Sequence, residues 1–143
     1  MLIHGRCHCG NIAFEFRWEP DPEGIPARAC TCSFCTKHGA AWTATPGGVL
    51  KIGVAEPADV AHHAFATRTA EFHVCTRCGV VPMVTSRIDG RLYAVVNVNT
   101  FEGLDSSLLR PSPVSLDDES EGERLARRKR SWIADVEFIE TQA

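Results

Sequence analysis

The chain has no long apolar run, no large charge excess of either sign, no internal repeat and no low-complexity segment. No stretch approaches the roughly 18 apolar residues that cross a bilayer as a helix, so no membrane partner is expected. Net charge is −3 over 143 residues, which is not the balance of a general nucleic-acid or membrane-surface binder. The one basic run, Arg127-Arg128-Lys129-Arg130, follows the acidic stretch Asp117 to Glu123. Acid first and base last complements a helix dipole, so the run reads as a solvated helix face rather than a nucleic-acid patch. Met1 to Cys9 is polar and leads straight into a cysteine motif, unlike a secretory leader. A cytoplasmic location is therefore expected. A disulfide scaffold is disfavoured, because the seven cysteines are an odd count without a secretory signal. A reducing compartment keeps such thiols available for metal.

Those seven cysteines fall in three tight clusters: Cys7-x-Cys9, Cys30-x-Cys32-x-x-Cys35 and Cys75-x-x-Cys78. Gaps this short let thiolates converge on one small cation. Four thiolates close a tetrahedral structural zinc site, and three leave a position open. Cys75-Thr76-Arg77-Cys78-Gly79 has the form of a zinc knuckle, in which the trailing glycine permits a left-handed backbone. Cys7-His8-Cys9-Gly10 is tighter but keeps the trailing glycine. Neither pair fills a shell alone, so Cys7, Cys9, Cys75 and Cys78 are expected to share one structural zinc. Cys30, Cys32 and Cys35 are expected to hold a second, reactive zinc from one local loop. Three thiolates on Zn²⁺ leave a net negative charge, which suits a soft fourth ligand such as an incoming thiol better than a water. Arg28, Lys37 and His38 flank this loop, and His38 is a candidate acid or base. The competing reading is a second structural zinc closed by a histidine, His38 or His73. Asn97 and Asn99 stand between substrate contact and ordinary strand polarity, and Trp42 between core and substrate wall.

The length suggests one domain, 1–143. The pattern is mainly β. Ile12, Phe14, Phe16 and Trp18 alternate with polar residues at a strand's period, and a Pro-rich loop covers Glu19 to Pro26. Further strands are expected over Ala40 to Thr45 and from Ala70 to Val74. Val80 to Ile88 and Arg91 to Asn99 flank Asp89-Gly90, a strong hairpin signal. Pro111 to Ser115 reads as a connector. Ser115 with Asp118 resembles a capping box, opening one late helix that runs to about Arg130. Trp132, Ala134, Val136 and Phe138 then read as a last strand. The C-terminal helix and strand together span about 115–140.

Gly5-Arg6-Cys7-His8-Cys9-Gly10, Cys30-Thr31-Cys32-Ser33-Phe34-Cys35 and Phe72 to Gly79, in this order, resemble the glutathione-dependent formaldehyde-activating enzyme family, which includes centromere protein V. Val96-Asn97-Val98-Asn99-Thr100-Phe101 with Leu104-Asp105 resembles a further stretch of that family. The resemblance runs from about Gly5 to Asp105. It implies a zinc-bearing β-tent fold with structural Cys7, Cys9, Cys75 and Cys78 and catalytic Cys30, Cys32 and Cys35. It implies a carbon–sulfur lyase that forms or cleaves S-hydroxymethylglutathione, with glutathione as the small thiol partner. Many relatives carry basic residues directly after the third clustered cysteine, where this chain has Thr36-Lys37-His38-Gly39. The alternative expectation is a non-catalytic zinc module that binds another protein through Arg127 to Arg130.

Overall fold

The period-2 patterns become strands of two packed sheets in a computed structural model, which describes residues 1–140. In chain order the elements are β1 (Leu2–Arg6), β2 (Ile12–Arg17), β3 (Ile25–Cys30), α1 (Ser33–His38), β4 (Trp42–Thr43), β5 (Val49–Val54), β6 (Val60–His63), β7 (Glu71–Cys75), β8 (Met83–Ile88), β9 (Arg91–Asn97), β10 (Phe101–Glu102), β11 (Leu109–Val114), α2 (Glu121–Ser131) and β12 (Asp135–Glu140). One sheet has the order β10-β1-β2-β5-β12 and the other β11-β3-β4-β9-β8-β7-β6. The fold is mainly β with one late helix, and a short helix, α1, stands where a loop was expected.

Burial follows the alternation in β2. Ile12, Phe14 and Phe16 are buried, while Glu15 and Arg17 are exposed. They meet Leu50 and Ile52 of β5 and Ile3 of β1 in the core between the sheets. The expected hairpin forms with Ile88 opposite Arg91. Asp89 (φ 52°) and Gly90 (φ 81°) both take left-handed backbone, as a two-residue type I′ turn requires. β9 is buried on both faces, from Tyr93 through Asn97. It stops before Asn99 because the Asn97 side chain accepts a hydrogen bond from Asn99 N at 3.1 Å, opening a short 3₁₀ turn.

The C-terminal third departs from expectation. Pro111 to Ser115 is no connector: Leu109–Val114 forms β11, parallel to β3. Its prolines are tolerated because it is an edge strand. Ser115 does not cap the helix. Ser120 does, its Oγ accepting from Glu123 N at 3.1 Å, and Ser120 with Glu123 has the serine-to-acid spacing of a capping box. The expected last strand is split. Ile133 pairs with Ala94 of the seven-stranded sheet, and β12 begins at Asp135 alongside β5 of the five-stranded one. The segment after α2 thus ties the two sheets together.

Gly5 of β1 lies directly across from Phe14 of β2, and a Cβ at position 5 would clash with the far edge of the Phe14 ring. Phe14 is 3% exposed and packed in the core, so the ring has little room to retreat. Gly5→Ala is expected to destabilise the fold by about 1–3 kcal/mol, the usual cost of overpacking. Equilibrium denaturation of the two proteins measures it.

Candidate metal centres and a cavity

The first two cysteine pairs sit on matching turns. Cys7 N donates to Ile12 O at 2.9 Å, and Cys75 N donates to Val80 O at 3.0 Å. The trailing glycines, Gly10 (φ 84°) and Gly79 (φ 79°), take the left-handed backbone these turns need. Cys7 and Cys75 are fully buried, Cys78 is half-buried and Cys9 is exposed. The ligand atoms of Cys7, Cys9, Cys75 and Cys78 all lie within 4.8 Å of one another. The Cys7–Cys9 and Cys9–Cys75 sulfur separations are 3.8 and 3.5 Å. A tetrahedron of thiolates with ~2.3 Å metal bonds has edges of roughly 3.8 Å, so these four side chains fit one metal ion.

Charge is handled unequally in this group. Burial pushes the Cys7 thiol up to about 11. Cys78 is also opposed by burial, but backbone N–H groups of Cys9 and Val80 outweigh it and bring this thiol down to about 6. Ile12 N points at Cys7 Sγ from 3.3 Å. Backbone donors aimed at sulfur favour the thiolate, the form that binds metal.

The second group is built differently. Cys30 ends β3, Cys32 is the N-cap of α1, and Cys35 lies within α1. Cys35 N donates to Cys32 Sγ at 3.4 Å. Trp42 Nε1 donates to Cys35 Sγ at 3.4 Å from the neighbouring β4. All three ligand atoms lie within 4.8 Å, so they too could hold a metal. A hydrogen bond from the Cys35 thiol brings Cys30 down to about 5. Cys35, which keeps that proton and is buried, is pushed far up.

These three cysteines line a cavity of about 500 Å³. It lies on the outer face of the seven-stranded sheet and contains Trp42, Phe72, Val84 and Val95, with α2 across it supplying Arg124, Arg127, Arg128 and Trp132. Arg28 of β3 and Asp117 complete the charged lining. Phe34 of α1 packs against Phe65 and Phe72 at 5.3 and 4.7 Å between ring centres, closing the wall behind the cysteines.

The basic run is therefore not simply a solvated face. Arg128 is 6% exposed and donates to Thr69 Oγ1 at 2.8 Å and Ser86 Oγ at 3.2 Å. Its guanidinium lies 5.0 Å from the Trp132 ring centre. Burial, with Arg127 and Arg124 nearby, lowers its pKa to about 10. Arg127 makes a two-pronged contact with Glu119 at 2.8 and 3.1 Å. The signal in the sequence was the four-residue spacing of Arg124, Arg128 and Trp132, which puts all three on one helix face.

Other candidates fall elsewhere. His38 is exposed, packs at a tilt against Phe34 at 4.4 Å between ring centres and is absent from the cavity lining. His73 does not join the three cysteines. It is buried and shares a hydrogen bond with Thr85 Oγ1 at 2.7 Å. Asn97 Nδ2 donates to Val81 O at 3.1 Å and Asn99 Nδ2 to Gly39 O at 2.9 Å, so both serve the backbone. Trp42 is both core and cavity wall. His8, His62 and His63 are exposed. No helix among the described residues is long and apolar enough to cross a membrane.

Two sheets joined by paired cysteine turns, with a three-cysteine group at the mouth of a cavity, define a mainly β protein with two cysteine sets able to hold metal. The family model of the glutathione-dependent formaldehyde-activating enzymes matches residues 2–113. A Halomonas elongata protein that carries that family's name is 31% identical over 124 residues, covering 78% of this chain and 71% of its own. A solved structure of a Rhodobacter sphaeroides protein is similar with a TM-score of 0.51 and 28% identity, covering 73% of this chain and 92% of that one. The chain belongs to the glutathione-dependent formaldehyde-activating enzyme family, and that membership supports an enzyme.

The two cysteine groups should separate on mutation. Cys75→Ser removes a buried candidate ligand from the group where the two sheets meet, so it should lower metal content and collapse the thermal transition. Cys32→Ser, at the half-buried helix cap, should lower metal content while leaving a cooperative transition. Metal analysis with thermal unfolding by circular dichroism checks both.

Proposed function

We propose that the protein is a zinc-dependent carbon–sulfur lyase that forms or cleaves the adduct of a small thiol with an aldehyde, S-hydroxymethylglutathione from glutathione and formaldehyde being the leading case. The observation that carries this reading is the position of Cys30, Cys32 and Cys35 together at a cavity large enough for a small-molecule ligand. The family name supplies the thiol and the aldehyde.

In this reading Cys7, Cys9, Cys75 and Cys78 would hold a structural zinc, and Cys30, Cys32 and Cys35 would hold a second, reactive one. Zinc bound by three thiolates would supply a place where a substrate thiol is held as its thiolate. The reaction balances simply. The thiol loses its proton, its sulfur forms a bond to the aldehyde carbon, and the carbonyl π pair moves to oxygen, which takes up a proton. Cleavage runs the same steps backwards.

The chain's own residues then position and shield. Trp42 holds Cys35 Sγ through its indole N–H, which fixes one corner of the ligand set. Trp42, Phe72 and Trp132 keep water from the reacting atoms. Arg28, Arg124, Arg127 and Arg128 against Asp117 make the cavity lining predominantly positive. Such a lining attracts a carboxylate-bearing thiol and offsets the negative charge of three thiolates. His38 has no support from the geometry as the proton carrier. The rival reading, a protein-binding module using the basic run, has less support, because Arg128 is buried and Arg127 is paired with Glu119, which leaves only Lys129 and Arg130 of that run exposed.

Cys32→Ser should reduce glutathione-dependent formaldehyde turnover at least about 100-fold, the scale on which one preorganised group acts. Unchanged turnover would remove this group from the reaction. Arg28 is exposed, and its side chain has no hydrogen-bond or ion-pair partner among the described residues. Arg28→Gln should raise KM for glutathione by about tenfold, the loss of one charge-assisted contact. It should leave KM for cysteamine, a thiol with no carboxylate, nearly unchanged.

A further inference from the structure

A third set of metal-ligand side chains converges away from the cysteines: His62, Glu71 and His73, whose ligand atoms lie within 4.8 Å of one another. Strand pairing brings them together. His62 of β6 is directly opposite His73 of β7, and directly opposed residues on antiparallel strands share a sheet face. Glu71 stands two residues before His73, so it points to that same face. Phe72, between them, lines the thiol cavity. The His–Glu–His face is therefore turned away from that cavity.

Each side chain suits ligation. One ring nitrogen of His73 is held by Thr85 Oγ1 at 2.7 Å. A hydrogen bond of this kind sets the ring orientation and leaves the other nitrogen for a metal. The two imidazoles meet edge to face, with centres 4.8 Å apart. His62 and Glu71 are exposed, and their side chains have no hydrogen-bond or ion-pair partner among the described residues. They are free to turn toward an ion. A concavity of about 380 Å³ opens on His62 and His73, with Val60 and Phe138 among its walls, so the ligands can be reached from solvent.

We propose that His62, Glu71 and His73 form a third metal site that takes a divalent transition-metal ion through two imidazoles and one carboxylate. This donor set is harder than the thiolates of the cysteine groups. It suits zinc, cobalt, nickel or iron(II), and three protein ligands leave positions for water or a small ligand. The site hangs on the edge strand β6 and lies two residues from Cys75 on β7, so an ion here would pin the edge of the seven-stranded sheet beside the four-cysteine group.

The test is titration of protein whose cysteine groups are already filled with zinc, using cobalt(II) as the probe. The expected result is saturable binding that gives weak d–d absorption without a thiolate-to-cobalt charge-transfer band. His62→Ala and Glu71→Gln change exposed side chains, and each should weaken that binding at least about tenfold, the scale of a lost coordinating or supporting group. Zinc in the cysteine groups should stay in place. Three results would overturn the proposal: no cobalt bound, cobalt bound equally by both variants and the parent, or a charge-transfer band showing exchange into the cysteine groups.

Discussion

The convergence of Cys7 and Cys9 with Cys75 and Cys78 is the constraint on which the rest of the fold depends. The first pair follows β1 of the five-stranded sheet, and the second ends and follows β7 of the seven-stranded sheet. Their meeting point is thus a bond between sheets as well as between distant parts of the chain. Cys7 and Cys75 are fully buried and belong to the hydrophobic core. A metal there would add on the order of 10 kcal/mol of apparent binding free energy to folding, comparable to the whole net stability of an ordinary domain. With that corner fixed, the outer face of the seven-stranded sheet becomes a rigid floor, and the cavity can be built on it.

The two cysteine groups differ in the way their proposed roles require. The four-cysteine group comes from two stiff turns, each with a backbone hydrogen bond closing it and a left-handed glycine after it. The three-cysteine group comes from a strand end and a single helix turn, and its sulfurs face a cavity. The opposite wall of that cavity is α2, which lies beyond the residues matched by the family model. The three-cysteine group therefore belongs to the family-matched part of the chain. Much of the charged wall, Arg124, Arg127 and Arg128, lies in the C-terminal segment after the matched residues.

Short-range chemistry was legible in the sequence, and long-range placement was not. The cysteine spacings, the left-handed glycines and the Asp89-Gly90 hairpin are local, so reading neighbours sufficed. β11 escaped notice because prolines argue against a strand unless its edge position is known. The cap was misplaced to Ser115 because Pro111 and Pro113 suggested an early end to the connector, although Ser120 and Glu123 carry the usual serine-to-acid spacing. The basic run misled because four consecutive charges look solvated, whereas helical geometry turns Arg128 inward and Lys129 and Arg130 outward. His38 follows the metal motif in sequence, but α1 carries it to the exposed side of Phe34.

The buried Arg128 has a structural logic of its own. Removing a guanidinium from water costs several kcal/mol, and an apolar residue of similar size is often as good for stability or better. Arg128 has one further disadvantage, since its Nε is buried without a hydrogen-bond partner. Its Nη1 donates to Thr69 and Ser86, which fastens α2 to β8 and to the segment that contributes Phe65 to the cavity. An apolar replacement could fill that volume but could not make those bonds. It would also remove a positive charge from a cavity in which three cysteines can concentrate negative charge. A residue costly to bury and hard to replace at this point ties the shape of the wall and its charge to one side chain, so the wall's position and potential cannot vary independently.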